Sequence, residues 1–230
     1  VIRVAVPDQK WARTAPARAV RELVLRGVFD PLIAGHAHVT VSGRGALEAI
    51  DGPAVLVANH SSHVDTPILL GALTAARRRM TLVGAAADYF YTRRDLAIAV
   101  SLAFGTVPIE RRFNGEPSAA LDALEQLIAD GFSLILYAEG TRSRTGRLGE
   151  FRPGAAALAR RRSVPLVPVR ISGTAQLMAP GRGWMARADR SDRRVRHPVS
   201  VEFGAALRPA AREEVRPVMD EVRHFISATA

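Results

Sequence analysis

Cysteine is absent from the 230 residues, which excludes a disulfide framework, a cysteine nucleophile and thiolate metal sites together. Lysine occurs once, at Lys10, so the positive charge is almost entirely guanidinium. Aromatic residues make up only 6%, and no stacking motif of the kind a nucleic-acid platform uses interleaves the arginines. No window reaches the ~18 consecutive apolar residues of a membrane-spanning helix. The longest candidate, 96–109, is interrupted by Ser101, Gly105 and Pro108. The opening residues contain Asp8 and lack a continuous apolar core, unlike a secretory signal. A phosphate loop, a dinucleotide fingerprint and a zinc pattern are missing too, so neither a metal nor a resident cofactor is expected.

What is present suits one folded domain. Hydrophobic residues are 48% of the chain, enough for a sizeable core in 230 residues. The net charge is +10, and it is uneven: residues 142–212 hold sixteen arginines against Glu150, Asp189, Asp192 and Glu202. Such a field attracts nucleic acid, anionic headgroups or phosphorylated small molecules, and charge alone does not choose among them.

Short runs rich in branched residues recur at 38–41, 54–58, 81–83, 106–109, 133–137, 166–171 and 199–203. Helical stretches fall between them at 66–77, 117–130, 154–162 and 210–226, the last with an expected break at Pro217. Alternation of this kind predicts a single α/β domain with a mixed, largely parallel sheet of about seven strands flanked by helices. Its ligand site belongs at the carboxyl ends of strands, in the loops after Ala58, Ile109 and Tyr137. Residues 1–36 form a separate amphipathic segment, with Val20, Leu23, Val24 and Val28 on one stripe and Arg13, Arg18, Arg21 and Arg26 mostly off it. It suits either a headgroup layer or packing on the domain at 37–230 with its arginines solvated.

Four segments carry candidate chemistry. The first is Asn59-His60-Ser61-Ser62-His63-Val64-Asp65, leaving an apolar run. An imidazole at the end of a buried strand, with a carboxylate five residues on, fits a general base and the group that orients it. Other readings stand beside it. Ser62 and Asp65 have capping-box spacing; His60, His63 and Asp65 could ligate a metal; Ser61 or Ser62 could be a nucleophile, although the glycine-flanked elbow is missing. The second segment, Gly105-Thr106-Val107-Pro108-Ile109-Glu110-Arg111, sets a guanidinium where it could grip a phosphate. In the third, Tyr137-Ala138-Glu139-Gly140-Thr141-Arg142-Ser143, Gly140 permits a sharp turn. Glu139, an expensive charge at the end of a buried strand, needs an arginine or an acceptor hydroxyl as partner. The fourth, Val164-Pro165-Leu166-Val167-Pro168, is mainly structural, its prolines suggesting an edge or a strand start.

In order and spacing these four segments, between about Val55 and Ile171, resemble the glycerolipid acyltransferase superfamily, which includes 1-acylglycerol-3-phosphate acyltransferases. Each motif is modest alone; the ordered set is specific. The resemblance implies His60 as general base toward an acceptor hydroxyl, oriented by Asp65. It also implies direct attack on an acyl thioester of coenzyme A or acyl carrier protein, without an acyl-enzyme. Arg111 would hold the phosphate of a lysophosphatidate-type acceptor, with Glu139, Gly140, Thr141 and Arg142 completing that pocket. It further implies peripheral or monotopic attachment to an anionic membrane surface, on the cytoplasmic face. Ala138 stands where the family usually has proline, which should alter the loop's shape slightly. The stretch 181–196, with Trp184, Met185 and many arginines, matches no part of the pattern. A different acceptor, such as a glycolipid or lyso-amino-acid lipid, and a basic nucleic-acid-binding protein are the competing functional readings.

Overall fold

The structure, a computed structural model, describes residues 9–109, 117–143, 147–189, 191–192 and 194–228. All seven branched-residue runs become strands: β1 (Ala37–Ser42), β2 (Val55–Ala58), β3 (Thr81–Ala86), β4 (Thr106–Ile109), β5 (Ser133–Tyr137), β6 (Leu166–Ser172) and β7 (His197–Phe203). They form one sheet in the order β1-β7-β6-β2-β5-β3-β4. Every neighbouring pair is parallel except β6 with β7. The central strands are apolar on both faces, as a sheet covered on two sides requires. Leu56, Ile135 and Val167 pack into one hydrophobic layer, and Val55, Val57 and Leu134 into the other. Each such fully buried aliphatic side chain contributes about 1.5–3 kcal/mol.

Pro168 does not mark an edge. β6 lies between β7 and β2, and Pro165 precedes its first residue. The missing N–H of Pro168 costs no ladder bond because pairing with β7 begins only at Val169. The Pro168 carbonyl points to that same side and accepts from the Gly204 N–H at 2.8 Å.

Helix α1 (Ala15–Val24) runs through a π-helical turn (Leu25–Phe29) into α2 (Asp30–Ala34), and a short α3 (Arg44–Glu48) follows β1. The stretch expected as one helix at 66–77 is two, α4 (Asp65–Ala72) and α5 (Ala75–Arg79). Leu73 between them is extended, and Thr74 caps α5 by accepting from the Arg77 N–H. After β3 come α6 (Ala87–Phe90) and α7 (Arg94–Phe104), a helix the sequence reading did not assign; Gly105, at φ +67°, ends it. Helix α8 (Pro117–Ala129) stops before Gly131, α9 (Gly154–Arg162) leads to β6, and α10 (Thr174–Leu177) follows β6. In α11 (Val215–Ser227) Pro217 sits in the first turn, where its missing N–H removes no helical bond, so the expected break is absent.

The N-terminal helix packs on α7 and α5 with Ala17, Arg21 and Leu25 inward, while Val20, Leu23 and Val28 point out. Arg21, expected to be solvated, is buried. Its guanidinium donates to the carbonyls of Ala12 (2.6 Å), Ser101 (3.1 Å) and Leu102 (3.2 Å), which satisfies the carboxyl end of α7. Burial, with a smaller contribution from Arg18, lowers its pKa to about 10. Glu22 beside it bonds Arg78 of α5 at 2.6 and 2.9 Å. Among the described residues no helix is long and apolar enough to cross a membrane.

Candidate active site

The carboxyl ends of the adjacent strands β2 and β5 bring two of the four segments together. Asn59 closes β2 by pairing its side-chain amide with the backbone of Ile171, accepting from the N–H and donating to the carbonyl, both at 2.8 Å. The chain then turns through His60 into α4. Asp65, the first residue of that helix, is fully buried, and its Oδ2 accepts three hydrogen bonds: from His60 Nδ1 (2.8 Å), Ser61 N–H (2.7 Å) and Ser62 N–H (2.8 Å). The helix N-terminus favours this charge as well. Because the carboxylate accepts, the imidazole carries its proton on Nδ1 and keeps a lone pair on Nε2.

The Ser62–Asp65 spacing is used as a capping pair as well: the carboxylate accepts from the Ser62 N–H and Ser62 Oγ accepts from the Val64 N–H at 3.4 Å, Val64 being the residue that bounds α4. Ser62 donates to the Met178 carbonyl at 2.7 Å, and Ser61 pairs with Thr174 at 2.9 Å, so both hydroxyls tie the turn to the region after β6. Among the described residues no group of three His, Asp or Glu side chains is arranged to hold a metal ion.

Tyr137, the last residue of β5, lies face to face with the His60 ring, with centroids 3.8 Å apart and planes inclined by 14°. Its hydroxyl pairs with Thr66 at 2.7 Å. Burial, and next the charge of Asp65, push the phenol's pKa up, so it stays protonated. Glu139 is buried. Its carboxylate accepts from the N–H groups of His60 (3.4 Å) and Gly149 (2.7 Å). That bond set ties the turn after β2 to two points of the connection between β5 and α9. Gly140, at φ +67°, lies so close to Arg152 that a Cβ would sit 2.8 Å from its Nε.

His60, Glu139, Gly140, Thr141 and Arg142 all line one cavity of about 1590 Å³, and Asp65 stands behind His60. Arg111 lies outside the described residues. The guanidinium of Arg142 lies over the Tyr89 ring, 5.7 Å from its centre. His63, also on the wall, packs against Tyr89 and Phe90. Burial first, then Arg142 and His60, lower its pKa to about 4. The rest of the wall is largely apolar, with Phe29, Leu32, Val83, Val100, Phe104 and Leu136 among its residues.

Sequence reading missed Tyr137 as a neighbour of the imidazole, and it missed the part that Phe29, Leu32 and Phe104 play in the cavity. An aromatic residue two before Glu139 was the available signal for the first. For the second, an apolar stretch ending in glycine at 94–105 had the length of a helix.

An Asp-held imidazole at the end of a parallel strand thus lines one cavity together with a guanidinium and a set of apolar side chains. The family model described as Acyltransferase matches residues 38–172, and the chain belongs to that family. A chloroplastic 1-acyl-sn-glycerol-3-phosphate acyltransferase of Brassica napus is 33% identical over 144 residues, covering 61% of this chain and 39% of that protein. The alpha enzyme of the same description from Mus musculus is 28% identical over 178 residues, covering 75% and 56%. The chain thus spans about two fifths of the plant relative's length. The crystal structure of the 1-acyl-sn-glycerophosphate acyltransferase of Thermotoga maritima superposes with a TM-score of 0.65 at 22% identity, covering 96% of this chain and 83% of that one. That likeness shows a shared fold.

Proposed function

We propose that this chain transfers a fatty acyl group from an acyl thioester, of coenzyme A or acyl carrier protein, to the free hydroxyl of a lysophosphatidate-type lipid. One observation carries the reading: an imidazole fixed through Nδ1 by Asp65 lines the same cavity as Arg142 and as apolar side chains such as Phe29, Leu32, Phe104 and Leu136. His60 Nε2 takes the proton of the acceptor hydroxyl as that oxygen attacks the thioester carbonyl. The C–S bond then breaks, and the departing thiolate takes the proton back from the imidazolium. Asp65 stabilises that imidazolium without itself being protonated. Arg142, together with Arg111, neutralises the acceptor's phosphate, while Gly140 and Thr141 shape the pocket. Glu139 keeps the loop in place. The apolar wall takes the acyl chain. The relatives' names, each a 1-acyl-sn-glycerol-3-phosphate acyltransferase, support this acceptor class.

The outward stripe of Val20, Leu23 and Val28 supports peripheral attachment to a bilayer through the N-terminal helix. The reaction is tested by incubating the protein with labelled acyl thioester and a panel of phosphorylated and unphosphorylated lyso-lipids. Transfer to the phosphorylated acceptors that disappears in His60→Ala is the expected result. Transfer confined to uncharged acceptors would overturn the phosphate assignment, and no transfer to any would overturn the reading.

A further inference from the structure

The exposed large apolar side chains among the described residues come from three segments only, 11–28, 89–98 and 184–195. All three reach the cavity wall or lead directly into it, through Phe29, Tyr89 and Trp184. The first is the N-terminal helix already considered. The third is the long connection between α10 and β7, and its build is different.

Trp184 at its tip is 63% exposed, yet Met185 beside it is buried in the main hydrophobic core. The backbone is held there by the Ala186 N–H, which donates to the Leu177 carbonyl at 2.7 Å, and by a turn in which the Arg182 N–H donates to the Ala179 carbonyl at 3.0 Å. The indole is therefore presented outward by an anchored loop. An aromatic ring with an apolar body and one N–H is the side chain favoured at the headgroup level of bilayers. Arg182, Arg187, Arg194 and Arg196 lie in the same connection, all exposed. Residues 179–196 contain six arginines and two acids. Both acids are occupied within the loop itself: Asp189 accepts from Ser191 and the Asp192 N–H, and Asp192 accepts from the Arg194 N–H.

We infer that Arg182, Trp184, Arg187, Arg194 and Arg196 form a second docking surface, whose partner is the anionic headgroup layer of a bilayer, with Trp184 as the interfacial anchor at the rim of the cavity. The surface is coupled to the catalytic turn, since Ser62, two residues from His60, donates to the carbonyl of Met178 at the loop's base. Seating the loop at the bilayer places the cavity rim at the level where a lyso-lipid's headgroup lies. Only this last consequence rests on the proposed acyl transfer; bilayer docking stands independently of it.

The test uses the full chain with Trp11→Phe, which leaves Trp184 as the single tryptophan. Its emission is followed as vesicles of phosphatidylcholine, with or without about one third phosphatidylglycerol, are added. A blue shift with the anionic vesicles, and quenching by lipids brominated near the headgroup, are expected. Arg182→Gln with Arg187→Gln should weaken sedimentation with anionic vesicles about thirtyfold, at about fivefold per arginine near a charged surface. The double variant should keep its rate on a water-soluble short-chain acceptor and lose rate on acceptor carried in vesicles. Trp184 emission unchanged in a sample that sediments with vesicles would overturn the proposal. So would undiminished vesicle affinity of the double variant, including the case where it instead loses affinity for acyl carrier protein. An inactive protein that still shows the shift and the affinity loss would sink the acyl-transfer reading alone.

Discussion

Asp65→Asn keeps the size of a buried side chain and removes its charge. In the wild type one oxygen, Oδ2, holds the imidazole Nδ1 at 2.8 Å and two backbone N–H groups. An asparagine oxygen can retain the two backbone bonds, so the turn and α4 should survive with a loss of no more than about 2 kcal/mol. Catalysis should suffer far more, because the imidazolium formed during transfer loses its counter-charge. The His60 side chain is 13% exposed and that of Asp65 fully buried. At their spacing the attraction is about 6 kcal/mol at an effective dielectric constant of about 20. Each 1.36 kcal/mol is tenfold in rate, so kcat should fall on the order of 10⁴-fold, with KM for the thioester little changed. The assay is steady-state transfer from labelled acyl thioester, with thermal melts run in parallel. A variant retaining more than about a tenth of the wild-type rate while melting much earlier would show that Asp65 only braces the turn, and the base assignment would lose its support.

Three further expectations follow from the same geometry. Tyr137→Phe keeps the ring against His60 and loses only the bond to Thr66, so kcat should fall no more than about tenfold; Tyr137→Leu should lower kcat further, and equal behaviour of the two would argue against ring stacking as the positioning contact. His63, with its pKa depressed to about 4, is neutral in the folded chain between about pH 4 and 6.5 while its unfolded form binds a proton there, so stability should rise with pH across that window; denaturant midpoints should show the slope flatten in His63→Gln. At Gly84 a Cβ would meet Ile109 Cδ1 at 2.4 Å and Leu136 Cδ2 at 2.8 Å, both flexible ends facing the cavity; Gly84→Ala should shorten the longest acyl chain the protein accepts, and an unchanged donor preference across a chain-length series would place the chain elsewhere.

Strands were legible because buried parallel strands are short runs of branched residues ended by turn formers, and each of the seven runs paired. Helices were less so. The division at Leu73–Thr74 depends on a single threonine accepting one backbone N–H, too local a choice for periodicity to register. Arg21 was misplaced because composition assigns arginine to solvent, whereas the unsatisfied carbonyls it meets come from a helix eighty residues away in sequence. For the site, the pairing of His60 with Asp65 was legible from a histidine leaving a buried strand with an acid five residues on. Tyr137 is visible only across the pairing of β2 with β5. The apolar wall was hidden for the opposite reason: its phenylalanines and leucines resemble any other core residues until the packing leaves a gap beside them.

The buried guanidinium of Arg21 has a practical consequence for anyone shortening this polypeptide to improve its handling. Cutting away the first thirty residues would strip the Ser101 and Leu102 carbonyls of their donor, empty the space against Gly105 and leave Arg78 without Glu22. A trimmed version should therefore fail by loosening the strand that leads toward Arg111, even though every motif in it is intact.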